Sequence, residues 1–271
     1  MPELPEVETT RRGIEPHVKG KTVTEVIVRR HDLRQPVSKD LPSIEGQKII
    51  NVRRRSKYLL LGIDDGGILL IHLGMSGSLR VIPPAEPWKK HDHVGITLSN
   101  GKQLRFHDPR RFGLVLRFSG DPEQHPLLKH LGPEPLEDAF TAQHLHAACA
   151  KRSVAIKLAI MDAKVVVGVG NIYASEALFR AGILPRTPAN RVSKPRVAKL
   201  AAAIREVLTE AIKEGGTTLR DFLNSDGEPG YFKQRLFVYE RKNEPCRVCK
   251  TPIRHAVLGQ RSTYWCPTCQ K

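Results

Sequence analysis

Apolar residues fall in short runs separated by polar and turn residues from about residue 20 to 118, and this pattern predicts β-structure. Turn residues separate the runs, and Asp64–Gly67 and Asn100-Gly101 predict two hairpin turns. The predicted strands are Val23–Arg29, Lys48–Val52, Tyr58–Ile63, Gly67–Leu73, Leu79–Ile82, Val94–Leu98, Gln103–Phe106 and Leu114–Phe118. Short strands at this spacing are typical of a β-sandwich or barrel.

Helical spacing marks both ends of this region. Near the N-terminus, Pro5 suits a first helical turn and Glu6 and Glu8 complement its positive end. Val7, Ile14 and Val18 then recur at near-helical spacing. Beyond the strands, the predicted helices are Gln143–Ala150, Val154–Met161, Ala174–Ala181 and Ser193–Glu214, the last ended by Gly215-Gly216.

Proline and glycine indicate the connections between these regions. A Pro-rich stretch from Asp121 to Pro135 predicts a linker, and Thr217–Tyr231 predicts a mobile loop. We therefore expect three domains: residues 1–134 (β-sandwich and linker), 135–222 (helices) and 223–271 (loop and cysteine-rich end).

The charge balance indicates a polyanionic partner. Lys and Arg total 44 against 28 Asp and Glu, which gives a net charge of +16 and a pI near 9.9. Nucleic acid is favoured over a membrane because the chain has no lipidation motif, signal peptide or long apolar run. We expect a soluble, cytoplasmic protein; a solvated basic surface without function is the alternative.

Four of the five cysteines form two CxxC pairs near the C-terminus, Cys246/Cys249 and Cys266/Cys269. Four thiolates at this spacing can hold one tetrahedral Zn²⁺, and a site filled by protein ligands is structural rather than catalytic. The alternative is a redox CxxC, for which one pair would suffice. Cys149 stands apart, and buried packing is its expected role.

The N-terminus can supply a nucleophile. Removal of Met1 would leave the ring nitrogen of Pro2 as the α-amine, which titrates near pH ~8 and is partly neutral at physiological pH. Attack by a secondary amine on a sugar C1′ gives an iminium that favours elimination, and Glu3 would be the adjacent acid/base. The alternative is an ordinary frayed terminus.

A glycine-containing turn precedes the third predicted helix. Gly168, Gly170 and Asn171 could bring backbone N–H groups to an oxyanion at the helix N-terminus. A dinucleotide fold fits poorly because the third glycine of its motif is absent, and an ordinary helix-capping turn is the other interpretation.

These segments together resemble the bacterial formamidopyrimidine-DNA glycosylases (Fpg/MutM) of the Fpg/Nei family. The resemblance rests on MPELPEVE at 1–8, HLGMSG at 72–77, DPRRFG at 108–113, GVGNIYASE at 168–176 and the four cysteines, in the expected order. It implies an α+β multidomain fold: an N-terminal β-sandwich with an N-terminal helix, a helix-two-turn-helix domain and a C-terminal β-hairpin zinc finger. It also implies a monomer that binds duplex DNA containing oxidised bases or abasic sites.

The resemblance assigns catalytic roles residue by residue. Pro2 would attack C1′ and Glu3 would move protons. Lys57 would donate a proton and contact phosphate in the lyase step. Arg261, between the cysteine pairs, would contact the lesion-site phosphate.

The same matching assigns the DNA contacts. Met75, Arg110 and Phe112 would respectively fill the space of the extruded base, hydrogen-bond the orphaned cytosine and wedge between base pairs. Taken singly, Met75 and Phe112 would be read as core residues. Further contacts to DNA or the lesion are implied for Asn171, His72, His91, Arg152 and Lys157, where Lys151 could exchange roles with Arg152.

The implied activity is that of a bifunctional DNA glycosylase and AP lyase acting on 8-oxoguanine and formamidopyrimidines, with no redox cofactor. Two alternatives stay open at this point. One is an endonuclease VIII-like enzyme for oxidised pyrimidines, and the other is a non-enzymatic zinc-ribbon DNA-binding protein.

Overall fold

A computed structural model of the chain describes residues 2–217 and 235–271. These residues divide into two compact units, one holding the chain to Lys129 with residues 214–217, the other holding His130–Lys213 with residues 235–271. The break after Lys129 lies inside the stretch predicted to be a linker. The predicted boundary at residue 223, and the predicted loop beyond Thr217, lie outside the described residues, so the three-domain division stays a prediction.

The first unit is a β-sandwich that follows one helix, as the sequence predicts. Its eight strands form two antiparallel sheets with orders β1-β6-β7-β5 and β2-β3-β4-β8. The elements are α1 (Leu4–Val18), β1 (Val23–Val28), β2 (Ile49–Arg55), β3 (Tyr58–Ile63), β4 (Gly67–His72), β5 (Ser78–Ile82), β6 (Asp92–Leu98), β7 (Gln103–His107) and β8 (Leu114–Ser119). Short 3₁₀ helices lie at Leu41–Ile44 and Pro122–Gln124.

Alternating apolar side chains of both sheets form a single core. Ile96 and Phe106 come from one sheet, and Leu61 and Leu69 from the other. The apolar face of α1 joins this core through Val7, Ile14 and Val18, as its spacing predicts. Burial of this face therefore fixes α1, and with it the N-terminus, on the sandwich.

Strand β2 extends three residues beyond the predicted end at Val52, through Arg53–Arg55. A run of arginines does not look like a strand, but here Arg54 lies against α1, with its Nε 3.2 Å from Glu8 Oε2. This ion pair holds Arg54 against α1, and Arg53–Arg55 continue the ladder opposite Tyr58–Leu60.

The second unit contains four helices and a C-terminal hairpin. They are α2 (Ala142–Ala150), α3 (Ile156–Met161), α4 (Asn171–Arg180), α5 (Lys194–Lys213), β9 (Arg254–Leu258) and β10 (Arg261–Trp265). Helix α3 begins two residues later than predicted because Ala155 is extended and bridges Pro188. Helix α4 begins three residues earlier than predicted, so Asn171 is its first residue.

Cys149 lies buried on α2, as expected from the sequence, and burial raises the pKa of its thiol to about 11. Within residues 2–217 and 235–271, no helix has both the length and the apolar character needed to span a membrane.

Candidate active site and nucleic-acid interface

The N-terminal segment is folded against the sandwich. Pro2 is buried, and Glu3 is 2% exposed at the N-cap of α1. Glu3 and Glu6 form a capping box, in which the Glu3 N–H donates to Glu6 Oε2 at 2.8 Å. The two residues assigned to nucleophilic and acid/base chemistry are therefore held at a helix start, which disfavours the frayed-terminus alternative.

Glu6 has a second role that the sequence did not reveal. Its other oxygen, Oε1, accepts the Thr217 N–H at 2.7 Å, so one buried carboxylate connects the start of α1 to the chain just before residue 218. The preceding Gly216 has φ +84°, and a Cβ there would lie 3.1 Å from Glu6 Oε1. The spacing of Glu3 and Glu6 in the sequence could have indicated their capping box, but it carries no information about the contact with Thr217.

Lys57 and His72 belong to neighbouring parts of one sheet. Lys57 is half-buried in the two-residue turn between β2 and β3, after Ser56 with φ 57°. His72 ends β4 opposite Tyr58, with ring centroids 4.9 Å apart, and its Nδ1 accepts the Gly74 N–H at 3.0 Å. Burial, followed by the charges of Lys57 and Arg34, lowers the pKa of His72 to about 4. This imidazole is therefore neutral at physiological pH.

Replacing His72→Asn is expected to flatten the acid limb of the stability profile. The pKa of His72 is about 4 in the folded protein. An unfolded histidine titrates near ~6.5, so the unfolded state takes up the proton first as pH falls, and stability is lost between these values. The wild type should lose about 3 kcal/mol more than the variant between pH ~7 and ~4. Urea unfolding of both proteins across this range measures the difference; equal slopes would contradict the burial effect.

The loops that carry Met75, Arg110 and Phe112 are in direct contact. Gly74 has φ +68°, and a Cβ there would lie 2.6 Å from the Gly113 nitrogen, so only glycine permits this approach. Arg110 is exposed, with its Cζ 5.2 Å from the Phe112 ring centroid. Phe112 is 46% exposed, which excludes the core interpretation of this residue, whereas Met75 is half-buried.

His91 lies directly before β6 and is half-buried. Its ring centroid is 6.0 Å from that of His107 and 6.4 Å from that of His93. The His91 carbonyl accepts the Asp108 N–H at 2.9 Å, so the backbone of His91 is tied to the segment that carries Arg110.

In the second unit, two predicted DNA contacts converge on the hairpin residue that follows Arg261. Asn171 Nδ2 donates to the Ser262 carbonyl at 3.0 Å, and Lys157 Nζ donates to the same carbonyl at 2.9 Å. Arg261 is exposed directly after the tight turn Gly259-Gln260, where both residues have positive φ. The arrangement presents the Arg261 guanidinium to solvent at the hairpin tip.

Lys157 itself is fully buried, which differs from the surface position expected of a DNA contact. Its ammonium also donates to Thr263 Oγ1 at 2.9 Å, so two hydrogen bonds from this buried group support the hairpin. A direct contact between Lys157 and DNA stays a prediction.

Arg152 is likewise engaged locally. Its guanidinium donates to the Ala148 carbonyl at 2.8 Å and lies 3.3 Å from Asp162 Oδ2, whereas the neighbouring Lys151 is exposed. Either side chain remains a candidate for the predicted DNA contact.

The four C-terminal cysteines fit one structural zinc. Their sulfurs all lie within 4.8 Å of one another, with 4.0 Å between Cys246 and Cys269 and 3.4 Å between Cys249 and Cys266. Tetrahedral Zn–S bonds of ~2.3 Å would place sulfurs roughly 3.8 Å apart, so the donor set has the size and chemistry that Zn²⁺ requires. Four protein ligands leave no open position, and the metal's contribution is to fold the finger.

A buried carboxylate on α4 anchors the chain that leads to this finger. Glu176 accepts the N–H groups of Phe237, Val238 and Tyr239 at 2.8, 3.0 and 2.9 Å. Burial raises the pKa of Glu176, and the three donors oppose that shift. Glu176 ends the motif at 168–176, but the sequence assigned it no role; the available signal was a glutamate among the apolar residues of a predicted helix.

Comparisons with known proteins cover nearly the whole chain. Residues 1–115 match the model of the formamidopyrimidine-DNA glycosylase N-terminal domain. Residues 131–223 match the formamidopyrimidine-DNA glycosylase H2TH domain, and residues 243–271 match the zinc finger found in FPG and IleRS. The three matches follow the order that the sequence motifs predict.

Full-length relatives carry the same family name. The formamidopyrimidine-DNA glycosylases of Methylococcus capsulatus and Cronobacter sakazakii are 57% and 58% identical, with all of both chains covered. Among solved structures, the MutM (Fpg) protein of Thermus thermophilus has a TM-score of 0.90 at 42% identity, covering 99% of this chain and 98% of its own. A Lactococcus lactis Fpg mutant in complex with Fapy-dG containing DNA has a TM-score of 0.93 at 32% identity, with both chains fully covered. The chain therefore belongs to the formamidopyrimidine-DNA glycosylase family.

Proposed function

We propose that this chain excises oxidised purines, such as 8-oxoguanine and formamidopyrimidines, from duplex DNA and then cleaves the strand at the resulting abasic site. The observation that carries the proposal is the buried, capped Pro2-Glu3 terminus in a chain that matches this glycosylase family along its length. The Lactococcus lactis relatives were solved with Fapy-dG containing DNA and with abasic-site DNA, the ligand classes proposed here. The family match disfavours both the pyrimidine-specific and the non-enzymatic alternatives.

The proposed reaction begins at the Pro2 nitrogen, once Met1 has been removed. The nitrogen attacks C1′ as the bond from C1′ to the damaged base breaks, and the proton that the attacking amine loses ends on the departing base. Glu3, held beside it by the capping box, protonates the sugar ring oxygen so that the ring opens to an iminium. The iminium acidifies C2′–H, and loss of that proton expels the 3′ phosphate. A second elimination, with loss of the proton on C4′, expels the 5′ phosphate. Water then hydrolyses the iminium, which frees Pro2 and leaves a one-nucleotide gap.

Cationic and wedge residues would position the DNA for this chemistry. We assign phosphate contact to Lys57, Arg261 and Asn171, and further DNA or lesion contact to His72, His91, Arg152 and Lys157. Phe112 would wedge between base pairs, Met75 would fill the vacated space and Arg110 would hydrogen-bond the orphaned cytosine. The proposed working state is a monomer in the bacterial cytoplasm, concentrated on the nucleoid by its net charge of +16.

Lesion specificity tests this function directly. A duplex with 8-oxoguanine opposite cytosine should give a borohydride-trapped protein–DNA adduct, and a matched duplex with 5,6-dihydrouracil should give much less. An abasic duplex serves as the control, because it needs no base excision and should be trapped efficiently. Stronger trapping on dihydrouracil than on 8-oxoguanine would favour the pyrimidine-specific alternative.

A salt titration should distinguish the residues that contact phosphate from the residue that recognises the opposite base. Lys57→Ala or Arg261→Ala should reduce the magnitude of the log K versus log salt slope by about one, because one fewer counterion is released. Arg110→Ala should instead weaken the preference for cytosine over adenine opposite 8-oxoguanine by ~1–3 kcal/mol. Binding measured with both opposite bases distinguishes the two classes. An Arg110→Ala variant that changes only the salt slope would move Arg110 to the phosphate-contact group.

A further inference from the structure

Asp108 is a fully buried aspartate whose side chain and backbone both engage the Arg110–Phe112 turn. Its Oδ1 accepts the Arg110 N–H at 3.2 Å, and its Oδ2 accepts the Gly113 N–H at 2.8 Å. One carboxylate therefore holds both ends of the turn that carries Arg110 and Phe112. Burial of a carboxylate is costly unless hydrogen-bond donors surround it, so the Arg110 and Gly113 N–H groups and the Asp108 carboxylate hold one another in place.

The backbone of Asp108 fastens the same turn to β6. Its N–H donates to the His91 carbonyl at 2.9 Å, and its own carbonyl lies 2.8 Å from His93 Nε2. Since a carbonyl only accepts, His93 is the donor in this contact. His93 is itself 3% exposed, so the anchor is inside the sandwich although the turn is at its surface.

The turn is also confined by close packing and backbone conformation. A Cβ on Gly113 would lie 2.5 Å from Phe106 Cζ and 2.7 Å from the His72 carbonyl. Arg111 adopts φ 59°, which a side chain rarely takes without support. Arg110 and Phe112 thus project from a turn whose two ends are fixed and whose middle is strained.

We infer that Asp108 is a positioning residue for reading the base opposite the lesion: its carboxylate sets the direction in which Arg110 meets the orphaned cytosine. This inference rests on the proposed function. Recognition of a base by arginine depends on two guanidinium N–H groups that point at acceptors on the base edge. A small rotation of the turn would point them elsewhere. The carboxylate touches neither substrate nor the reacting atoms, so its effect should appear in specificity.

Asp108→Asn tests the inference with almost no change of shape. An amide offers one oxygen and one NH₂ where two N–H groups converge, so one donor loses its acceptor and faces another donor. The expected result is a fall of about tenfold in the cytosine-over-adenine preference for 8-oxoguanine excision. Trapping on a single-stranded abasic oligonucleotide, which has no opposite base, should stay near the wild-type level.

Two comparisons make the test specific. Asp121→Asn applies the same chemical change to an exposed aspartate outside this turn, which accepts the Glu123 N–H at 2.9 Å, and it should leave the preference unchanged. The double variant Asp108→Asn/Arg110→Ala should have the same preference as Arg110→Ala alone, because Asp108 acts through Arg110. The inference would be overturned if the effects of the two substitutions on the cytosine-over-adenine preference were additive. It would also be overturned if Asp108→Asn kept the wild-type preference.

Amide exchange of the wild type provides a measurement that needs no variant. The Arg110 and Gly113 amides should exchange slowly if Asp108 holds them, and rapid exchange of both would overturn the inference even if Asp108→Asn fails to fold. The two proposals fail in different ways. A wild type that traps no oxidised-purine DNA contradicts the proposed function, whereas a wild type with a cytosine preference that Asp108→Asn retains contradicts this inference alone.

Discussion

One extra glycine placed ahead of Pro2 is expected to abolish borohydride-trapped adducts, with their rate of formation reduced by at least about 10³-fold. The extension converts the Pro2 nitrogen from a secondary amine into a tertiary amide, whose lone pair is delocalised and which cannot become an iminium. Trapping on an abasic duplex measures this loss without dependence on base excision. Duplex affinity should change little, because the cationic residues assigned to phosphate contact are untouched.

Pro5→Ala is the matched control for that variant. It alters the other proline of the same segment, at the second position of α1, and leaves the terminal amine free. Trapping should therefore persist with Pro5→Ala and disappear with the extension. An extended protein that traps the abasic duplex at the wild-type rate would remove Pro2 from the mechanism.

Cys249→Ser is expected to reduce bound zinc below one per chain and to weaken duplex binding and cleavage together. Apparent energies of structural zinc sites are about 10–16 kcal/mol, more than the stability of a short hairpin such as β9–β10. Loss of the metal should therefore unfold the hairpin that presents Arg261. Metal analysis, duplex affinity and cleavage rate measured on one preparation check this prediction.

Cys149→Ser makes the same substitution at the buried cysteine of α2, away from the four metal ligands. It should keep one zinc per chain, whatever its effect on overall stability. A metal-free preparation that binds and cleaves duplex DNA normally would contradict a structural role for zinc.

Periodic and clustered features could be predicted from sequence. All eight sandwich strands were expected because short apolar runs bounded by turn residues are local features of the sequence, and α5 differs from its predicted range by one residue at each end. The four cysteines identify the metal site because ligand type and spacing are local properties. The boundaries that differ depend on tertiary contacts, as where Glu8 allows Arg53–Arg55 to extend β2.

The long-range contacts that support the site could not be predicted in the same way. Glu6 meets Thr217 across 211 positions, and Lys157 meets Ser262 across 105. Neither contact has a local signature, and nothing in the sequence around Lys157 indicates that it is buried. Family resemblance assigns roles to residues of the matched motifs, whereas supporting residues such as Glu6 and Asp108 are identified only from the fold.

Peptide mapping of the borohydride-reduced adduct shows which residue is bonded to the sugar, and therefore whether the Pro2 nitrogen forms the covalent intermediate. The protein would be trapped with borohydride on an 8-oxoguanine·cytosine duplex and digested, and the peptide that carries the sugar remnant would be sequenced by mass spectrometry. We expect a single modified peptide that begins at Pro2, with the added mass on its first residue. A remnant on a lysine, such as Lys57, with an unmodified Pro2 would contradict it.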